Sequence, residues 1–290
     1  MKIGVNTMVW TGSFNTGHFP LLARIRDWGF DSVEISIFDY TDFPIRETRQ
    51  ALEDLGLKLS VTSAMPAGVS LLDESAEVRK KSMDWMRTAL ETVSELGGSI
   101  LAGPFYSPVG FLPGTRRSED EWKRVVDCYR ELAPYFERLP AKVAVEPLNR
   151  FETFFLNLCE DAVRLCDEID SPSVGVLYDT FHANIEERDL FEACRSTQRH
   201  LLHVHTCEND RGAPGSGHIP FPGVFQTLKS MRYDGLCVIE SFASNIPEIA
   251  RAAAIWRDLA AGQDDIAVDG LAYLRRVDRE SEETSTVFSV

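Results

Sequence analysis

The second half of the chain contains four short apolar runs, each with an ionisable side chain at or near its end. In order, they are KVAVE (142–146), VGVLYD (174–179), LLHVHT (201–206) and LCVIE (236–240). Apolar runs of this length, rich in β-branched residues, predict buried strands. The segments between them show the apolar spacing of helices at 158–169, 190–196 and 221–231. Strands that alternate with helices predict right-handed βαβ units and a parallel sheet.

The first half of the chain shows the same alternation. Its strands are predicted at 2–8, 32–37, 58–63 and 99–102, its helices at 19–28, 45–55, 76–96 and 119–139, and the last helix of the chain at 246–259. Eight strands and eight helices in strict alternation predict an α/β protein with a closed (β/α)8 TIM barrel. The single barrel domain is predicted over residues 1–276. The polar, acidic segment 277–290 is predicted to form a flexible C-terminal tail.

The composition disfavours several classes of protein. The chain has 290 residues, of which 44% are hydrophobic, as expected for an ordered globular domain. Its formal net charge of −15 opposes binding to nucleic acid or to an anionic membrane surface, so neither is expected as a partner. The sequence has no run of 18 apolar residues, no signal-peptide pattern, and no CxxC pair among its six cysteines. We therefore expect a cytoplasmic protein with reduced, buried cysteines.

Ionisable residues close four neighbouring strands of the predicted barrel: Glu146, Asp179, His205 and Glu240. One charged residue at a strand end is often only its solvated exit, but the carboxyl ends of all strands of a TIM barrel meet at the face that carries active sites. Three carboxylates placed together would repel one another strongly, and a divalent cation removes that repulsion. Oxygen and imidazole ligands together favour Mn²⁺, with Co²⁺ or Mg²⁺ as alternatives. His203 shares a strand face with His205 but lies farther from the strand end, so it is predicted to pack in the interior.

Polar loop sequences follow these strand ends, and in this order they resemble a known family. The runs are EPLNRFE (146–152), DTFH (179–182), HTCENDR (205–211) and GLCVIESF (235–242). Over about residues 1–260 the chain resembles the ketose 3-epimerases (D-tagatose, D-allulose and L-ribulose 3-epimerases) of the xylose isomerase-like barrel group. Any one of these runs is only weak evidence for the family. The evidence becomes specific because all of them occur, in this order.

The resemblance implies roles for individual residues. The positions that match metal ligands are Glu146, Asp179, His205 and Glu240, and two of them, Glu146 and Glu240, also match the catalytic carboxylates. The positions that match substrate-binding residues are Glu152, His182 and Arg211, and Glu34 is expected beside them at the barrel mouth. An apolar surface for the distal sugar carbons is expected from Trp10, Phe14 and residues 64–68. The resemblance also implies a ketose substrate and assembly as a homodimer or homotetramer.

The implied reaction is consistent with these residue types. Inversion of the carbon beside a ketose carbonyl requires that its proton be removed and that a proton be returned on the other face. A metal ion would stabilise the enediolate as a Lewis acid. Two carboxylates on opposite faces, as expected for Glu146 and Glu240 on the fifth and eighth strands, would remove and return the proton.

Three other hypotheses remain open. A hydroxypyruvate isomerase-like or sugar-phosphate isomerase would use similar chemistry between C1 and C2, but a phosphate calls for a basic cluster or a helix N-terminus, and the loops named above contain no Lys/Arg cluster. An endonuclease-like barrel would require more histidine ligands and a basic surface, whereas the chain has six histidines. A non-catalytic sugar-binding barrel would be marked by replacement of Glu146 or Glu240, and both are present.

Overall fold

Eight parallel strands close into a barrel in the computed structural model, which describes residues 1–287 and the side chains as far as residue 282. The strands are β1 (Lys2–Asn6), β2 (Ser32–Ser36), β3 (Lys58–Thr62), β4 (Ile100–Gly103), β5 (Lys142–Val145), β6 (Val174–Asp179), β7 (Leu201–His205) and β8 (Leu236–Ile239). Each pairs with the next along the chain, and β8 pairs with β1. The predicted TIM barrel in a single domain is confirmed.

Helices cover the outside of the barrel and connect the strands. In the described part of the chain they are α1 (Phe19–Trp28), α2 (Ile45–Leu55), α3 (Ala76–Glu95), α4 (Glu119–Phe136), α5 (Cys159–Ile169), α6 (Thr180–Glu186), α7 (Leu190–Ser196), α8 (Phe221–Ser230), α9 (Pro247–Ala252) and α10 (Gln263–Val287). Local chemistry sets their ends. The helix α4 begins at a capping box, in which Ser118 Oγ accepts from the Glu121 backbone N–H and a Glu121 carboxylate oxygen accepts from that of Ser118. The helix α1 ends at Gly29, whose φ of 96° favours a residue without Cβ.

The strands have one face toward the helices and one toward the barrel interior. The large apolar core lies between strands and helices and includes Val143 and Val145 of β5. Ala144, between them, belongs to a smaller interior cluster with Ile100, Ala102 and Leu177. Because side chains alternate along a strand, the interior positions form a separate set, and those of β1, β2, β3 and β7 include the buried polar side chains of Asn6, Glu34, Ser60 and His203. This polar part of the interior lies beneath the candidate site.

The C-terminal part of the chain differs from the prediction. The helix expected at 246–259 is only the short α9, and a separate long helix, α10, follows it. The prediction of a flexible tail from residue 277 is wrong for residues 277–287, because α10 continues to Val287 and buries Val277 and Ser281. Residues 288–290 of the predicted tail lie outside the described residues. The polar composition concealed a narrow buried stripe that includes Ile266, Leu274 and Val277.

Two further predictions can be compared with the structure. All six cysteines, each of which lies in the described part of the chain, are unpaired and buried, as expected. Among residues 1–287, no helix has the length and apolar character needed to cross a membrane.

Candidate active site

Four ionisable residues converge where strands β5 to β8 end. Asp179 and His205 are the last residues of β6 and β7, and Glu146 and Glu240 directly follow β5 and β8. One possible ligand atom from each lies within 4.8 Å of the other three. His205 Nδ1 is 3.4 Å from Glu240 Oε2, 3.7 Å from Asp179 Oδ2 and 3.8 Å from Glu146 Oε1. The structure therefore brings together the four residues proposed from the sequence as metal ligands.

Two atoms of this cluster, Glu146 Oε1 and His205 Nδ1, are buried polar atoms without a hydrogen-bond partner among the described residues. Buried polar atoms are nearly always satisfied, so each such exception calls for an explanation. These two face each other across 3.8 Å, with carboxylate oxygens of Asp179 and Glu240 beside them. A divalent cation with oxygen and imidazole ligands would satisfy both atoms and offset the repulsion among the three carboxylates. The residues present thus fit such an ion.

Arg211 supplies positive charge at the edge of the cluster. Its Nη1 donates to Glu240 Oε2 at 2.8 Å and to Asp179 Oδ2 at 3.1 Å. The guanidinium also lies 3.9 Å from the centre of the Phe181 ring and 5.0 Å from that of Phe242. Arg211 is therefore held in a fixed position by two carboxylates and two aromatic rings.

His182 lies beside the same carboxylates. Its Nδ1 accepts from the backbone N–H of Asn149 at 3.0 Å, and its Nε2 lies 3.2 Å from Arg211 Nη2, a nitrogen that can only donate. That Nε2 lies 3.7 Å from Glu146 Oε1 and 3.9 Å from Asp179 Oδ2. Burial lowers the pKa of His182 below its usual range, which favours the neutral ring.

Burial and neighbouring charges shift the pKa values of two carboxyl groups in opposite directions. Burial, together with the charge of Glu240, raises the pKa of Glu146 well above its usual range. Burial acts in the same sense on Asp179, but Arg211 and His182 outweigh it and hold the pKa of Asp179 well below its usual range. Without a bound cation, Glu146 therefore holds a proton more readily than Asp179 does.

A cavity of about 370 Å³ opens above the cluster. Its polar lining includes the two central carboxylates and the three residues predicted to bind substrate, namely Glu146, Glu240, Glu152, His182 and Arg211. The Asn149 side-chain amide donates to Glu152 Oε1 at 2.7 Å and so holds that carboxylate in place. Most of the remaining wall is apolar and comes from loops after several strands; it includes Met8, Phe38, Pro104, Val109, Leu148, Phe242 and Ile249. The cavity wall thus combines a group of ionisable side chains with a largely apolar surface.

The apolar surface predicted for the distal sugar carbons lies elsewhere than expected. Trp10 does not line the cavity: its indole stacks on Trp28 and donates to Asp264 Oδ1 at 2.8 Å. Phe14 is buried against Phe19, and from residues 64–68 only Ala64 lines the cavity. The prediction was wrong because loop paths, rather than strand positions, decide which apolar residues face the cavity.

Glu34 also differs from its predicted place at the mouth. The strand β2 continues to Ser36, so Glu34 lies in mid-strand, and its side chain is fully buried in the barrel interior. It is absent from the described cavity wall, where it was predicted to contact substrate. His203 is fully buried next to it, which confirms the predicted interior position of that histidine.

Two residues of the loop after β7 contribute to the site without having been assigned a role from the sequence. Cys207 Sγ lies 3.3 Å from Asp179 Oδ2 and 3.0 Å from Arg211 Nη1. Glu208 is fully buried and accepts backbone N–H groups, including those of Gly215 and Ile219 at 2.9 Å each, so it shapes the loop that carries Arg211. The spacing His205-x-x-Glu208-x-x-Arg211 was a usable signal for Glu208, whereas no pattern indicated Cys207.

Comparisons with known proteins agree with this fold. The family model of the xylose isomerase-like TIM barrel matches residues 22–277. The chain is 33% identical over 276 residues to a probable ketose 3-epimerase of Synechocystis sp. (95% of this chain, 96% of the relative) and 31% identical to a ketose 3-epimerase of Arthrobacter globiformis (95% and 96%). A solved structure of L-ribulose 3-epimerase superposes with a TM-score of 0.94 at 27% identity and covers 100% of this chain and 98% of its own. The chain therefore belongs to the ketose 3-epimerase family of the xylose isomerase-like TIM barrels and is an isomerase.

Proposed function

We propose that the protein is a metal-dependent epimerase that inverts C3 of a free ketose through an enediolate, with Glu146 and Glu240 as the acid–base pair. The observation that carries the proposal is the position of these two carboxylates. They follow strands three places apart in the barrel, line the same cavity, and belong to one cluster of possible ligands. A small substrate between them would be within reach of both.

The residues that would hold the cation are Glu146, Asp179, His205 and Glu240. The ion proposed is Mn²⁺, with Co²⁺ or Mg²⁺ as alternatives. A bound divalent ion supplies Lewis-acid stabilisation of negative charge on substrate oxygens.

The protein's own groups account for the proton transfers. One of Glu146 and Glu240 removes the proton from C3, and the electron pair of that C–H bond delocalises into the neighbouring carbonyl to give the enediolate. The other carboxyl returns a proton to the opposite face of C3, so one C–H bond breaks, one forms, and nothing is oxidised. Arg211 and His182, which both line the cavity, stabilise the developing negative charge. Glu152 accepts hydrogen bonds from substrate hydroxyls.

The relatives support a small ketose as substrate. A solved structure of D-allulose 3-epimerase from Methylomonas sp., in complex with D-allulose, superposes with a TM-score of 0.89 at 27% identity and covers 95% of this chain and 96% of its own. In the present chain, Arg211 is the one basic Lys or Arg side chain among the described residues of the cavity wall, and two carboxylates already pair with it. This arrangement favours an uncharged sugar over a phosphate ester.

A substrate panel tests the proposal. With added Mn²⁺, free ketohexoses and ketopentoses are expected to yield C3 epimers. Their kcat/KM is expected to exceed that of the corresponding phosphate esters by about tenfold or more, because Arg211, the one Lys or Arg side chain among the described residues of the cavity wall, is already paired with two carboxylates. Chromatography of the products together with initial rates provides both readouts. A preference of that size for a phosphorylated sugar, or an aldose as the product, would instead assign the chain to the aldose–ketose isomerases.

Two features accompany this function as predictions. We expect a homodimer or homotetramer in solution, and a cytoplasmic location.

A further inference from the structure

A fully buried carboxylate lies in the barrel interior directly behind the candidate metal site. Each oxygen of Glu34 accepts two hydrogen bonds. Its Oε1 receives them from His205 Nε2 and Asn6 Nδ2, both at 2.8 Å, and its Oε2 receives them from His203 Nε2 at 2.7 Å and Ser60 Oγ at 2.8 Å. The four donors belong to β1, β3 and β7, so one carboxylate joins three other strands. A buried charge is tolerated only when its hydrogen-bonding capacity is filled in this way.

The contact with Glu34 determines which nitrogen of His205 can bind a cation. Because a carboxylate oxygen accepts, the Nε2 atom of His205 carries the proton, and the lone pair of the neutral ring resides on Nδ1. That Nδ1 is the atom 3.4 Å from Glu240 Oε2, and it has no hydrogen-bond partner among the described residues. The opposite tautomer would direct an N–H into the ligand cluster and leave Nε2 unable to donate to Glu34.

Glu34, His203 and His205 could themselves be taken for a second metal site, since their side chains also lie close together. The contacts favour hydrogen bonding instead. The imidazole nitrogens lie 2.7 and 2.8 Å from the carboxylate oxygens, which is hydrogen-bond contact. Asn6 Nδ2 and Ser60 Oγ donate to the same two oxygens, so the carboxylate is already fully hydrogen-bonded. The cluster is therefore a hydrogen-bonded support, and Nδ1 of His205 faces away from it, toward Asp179 and Glu240.

We propose that Glu34 is a positioning residue for the metal ligand His205: it fixes the tautomer and the orientation of the imidazole and so sets the affinity of the site for its cation. The inference rests on the proposed metal-dependent function. Carboxylates that support a ligating histidine in this way typically change metal affinity by about 10- to 100-fold when they are replaced. Glu34 touches neither the substrate cavity nor the proposed reacting atoms, so its effect acts through His205.

The test uses Glu34→Gln, which keeps the shape of the side chain and removes its charge. Titration of the metal-free protein with Mn²⁺, followed by calorimetry and by the electron paramagnetic resonance signal of free Mn²⁺, gives the Kd. We expect the Kd to rise by about tenfold or more. The visible spectrum of the Co²⁺-loaded protein is expected to change, because His205 contributes to the ligand field. Neither readout depends on catalytic turnover.

The matched control is Ser60→Ala, which removes one hydrogen bond from the same carboxylate and leaves both imidazole contacts in place. Its Kd and Co²⁺ spectrum are expected to equal those of the wild type, even if its Tm falls. If Glu34→Gln does not fold, Glu34→Asp serves the same test. The aspartate keeps the charge but is shorter by one methylene, so its carboxylate lies farther from the imidazoles. The Kd is again expected to rise.

The outcomes separate the inference from the function on which it rests. A folded Glu34→Gln or Glu34→Asp variant with a wild-type Kd overturns the positioning role, and so does an equal weakening in Ser60→Ala. If the wild type itself binds no Mn²⁺, the metal-dependent function is wrong, and the inference falls with it.

Discussion

Exhaustive dialysis against EDTA is expected to abolish the activity, and added Mn²⁺ or Co²⁺ is expected to restore it. The reason lies in the four possible ligands at the ends of β5 to β8, where Glu146 Oε1 and His205 Nδ1 have no hydrogen-bond partner among the described residues. Without Lewis-acid assistance, a sugar C–H is too weak an acid for a carboxylate to deprotonate at a useful rate. Turnover is measured before and after dialysis, alongside elemental analysis of the protein.

Metal binding should also raise the Tm, because a ligand that binds only the folded state stabilises it by about 2.7 kcal/mol at one hundred times its Kd. The control variant is Asp179→Asn. Asp179 Oδ1 accepts from the Phe181 backbone N–H at the start of α6, and an asparagine keeps that cap while it removes the charge beside His205. This variant should fold but lose most of the metal-dependent rise in Tm. Full turnover of protein that contains no metal would disprove the metal-dependent mechanism.

Replacement of either central carboxylate is expected to cause a loss of similar scale. Glu146→Gln and Glu240→Gln should each lower kcat by about 10²- to 10⁴-fold, since an amide can neither accept nor return the C3 proton. Kinetics at saturating Mn²⁺ and at several sugar concentrations separate this loss from weaker metal binding. Both residues lie in one cluster, so the double variant should lose less than the product of the two single effects.

The control for these substitutions is Glu131→Gln, on an exposed part of α4, where the Glu131 side chain is 64% exposed. It should leave kcat and Tm unchanged. A Glu146→Gln or Glu240→Gln variant that is folded, binds metal and retains wild-type kcat would remove that residue from the acid–base pair.

The sequence allowed the barrel and the centre of its site to be predicted for a physical reason. In a parallel barrel every strand runs in the same direction, so the residue that closes each buried strand lies at one common face. Glu146, Asp179, His205 and Glu240 could therefore be placed together without any knowledge of loops. The same reasoning placed His203 in the interior, because side chains alternate along a strand.

The errors arose where strand ends and loop paths decide the outcome. Glu34 was expected at the mouth although the strand predicted at 32–37 already extended past it; in the structure two strand residues follow Glu34 and leave its carboxylate inside the barrel. Trp10 was expected to contact substrate, yet Trp28 and Asp264 provide partners elsewhere. The helix α10 was missed because its buried stripe is narrow among many polar residues, and only its packing against the barrel reveals it.

The most direct test of the proposed function is the fate of solvent hydrogen. When the Mn²⁺-loaded enzyme converts a ketose in D₂O, deuterium is expected at C3, first in the newly formed epimer and more slowly in unreacted substrate, because the second carboxyl exchanges with solvent before it returns a proton to the far face. Nuclear magnetic resonance and mass spectrometry of both sugars locate the label. Deuterium found only at C1, or at no carbon while the sugar still binds, would contradict epimerisation at C3.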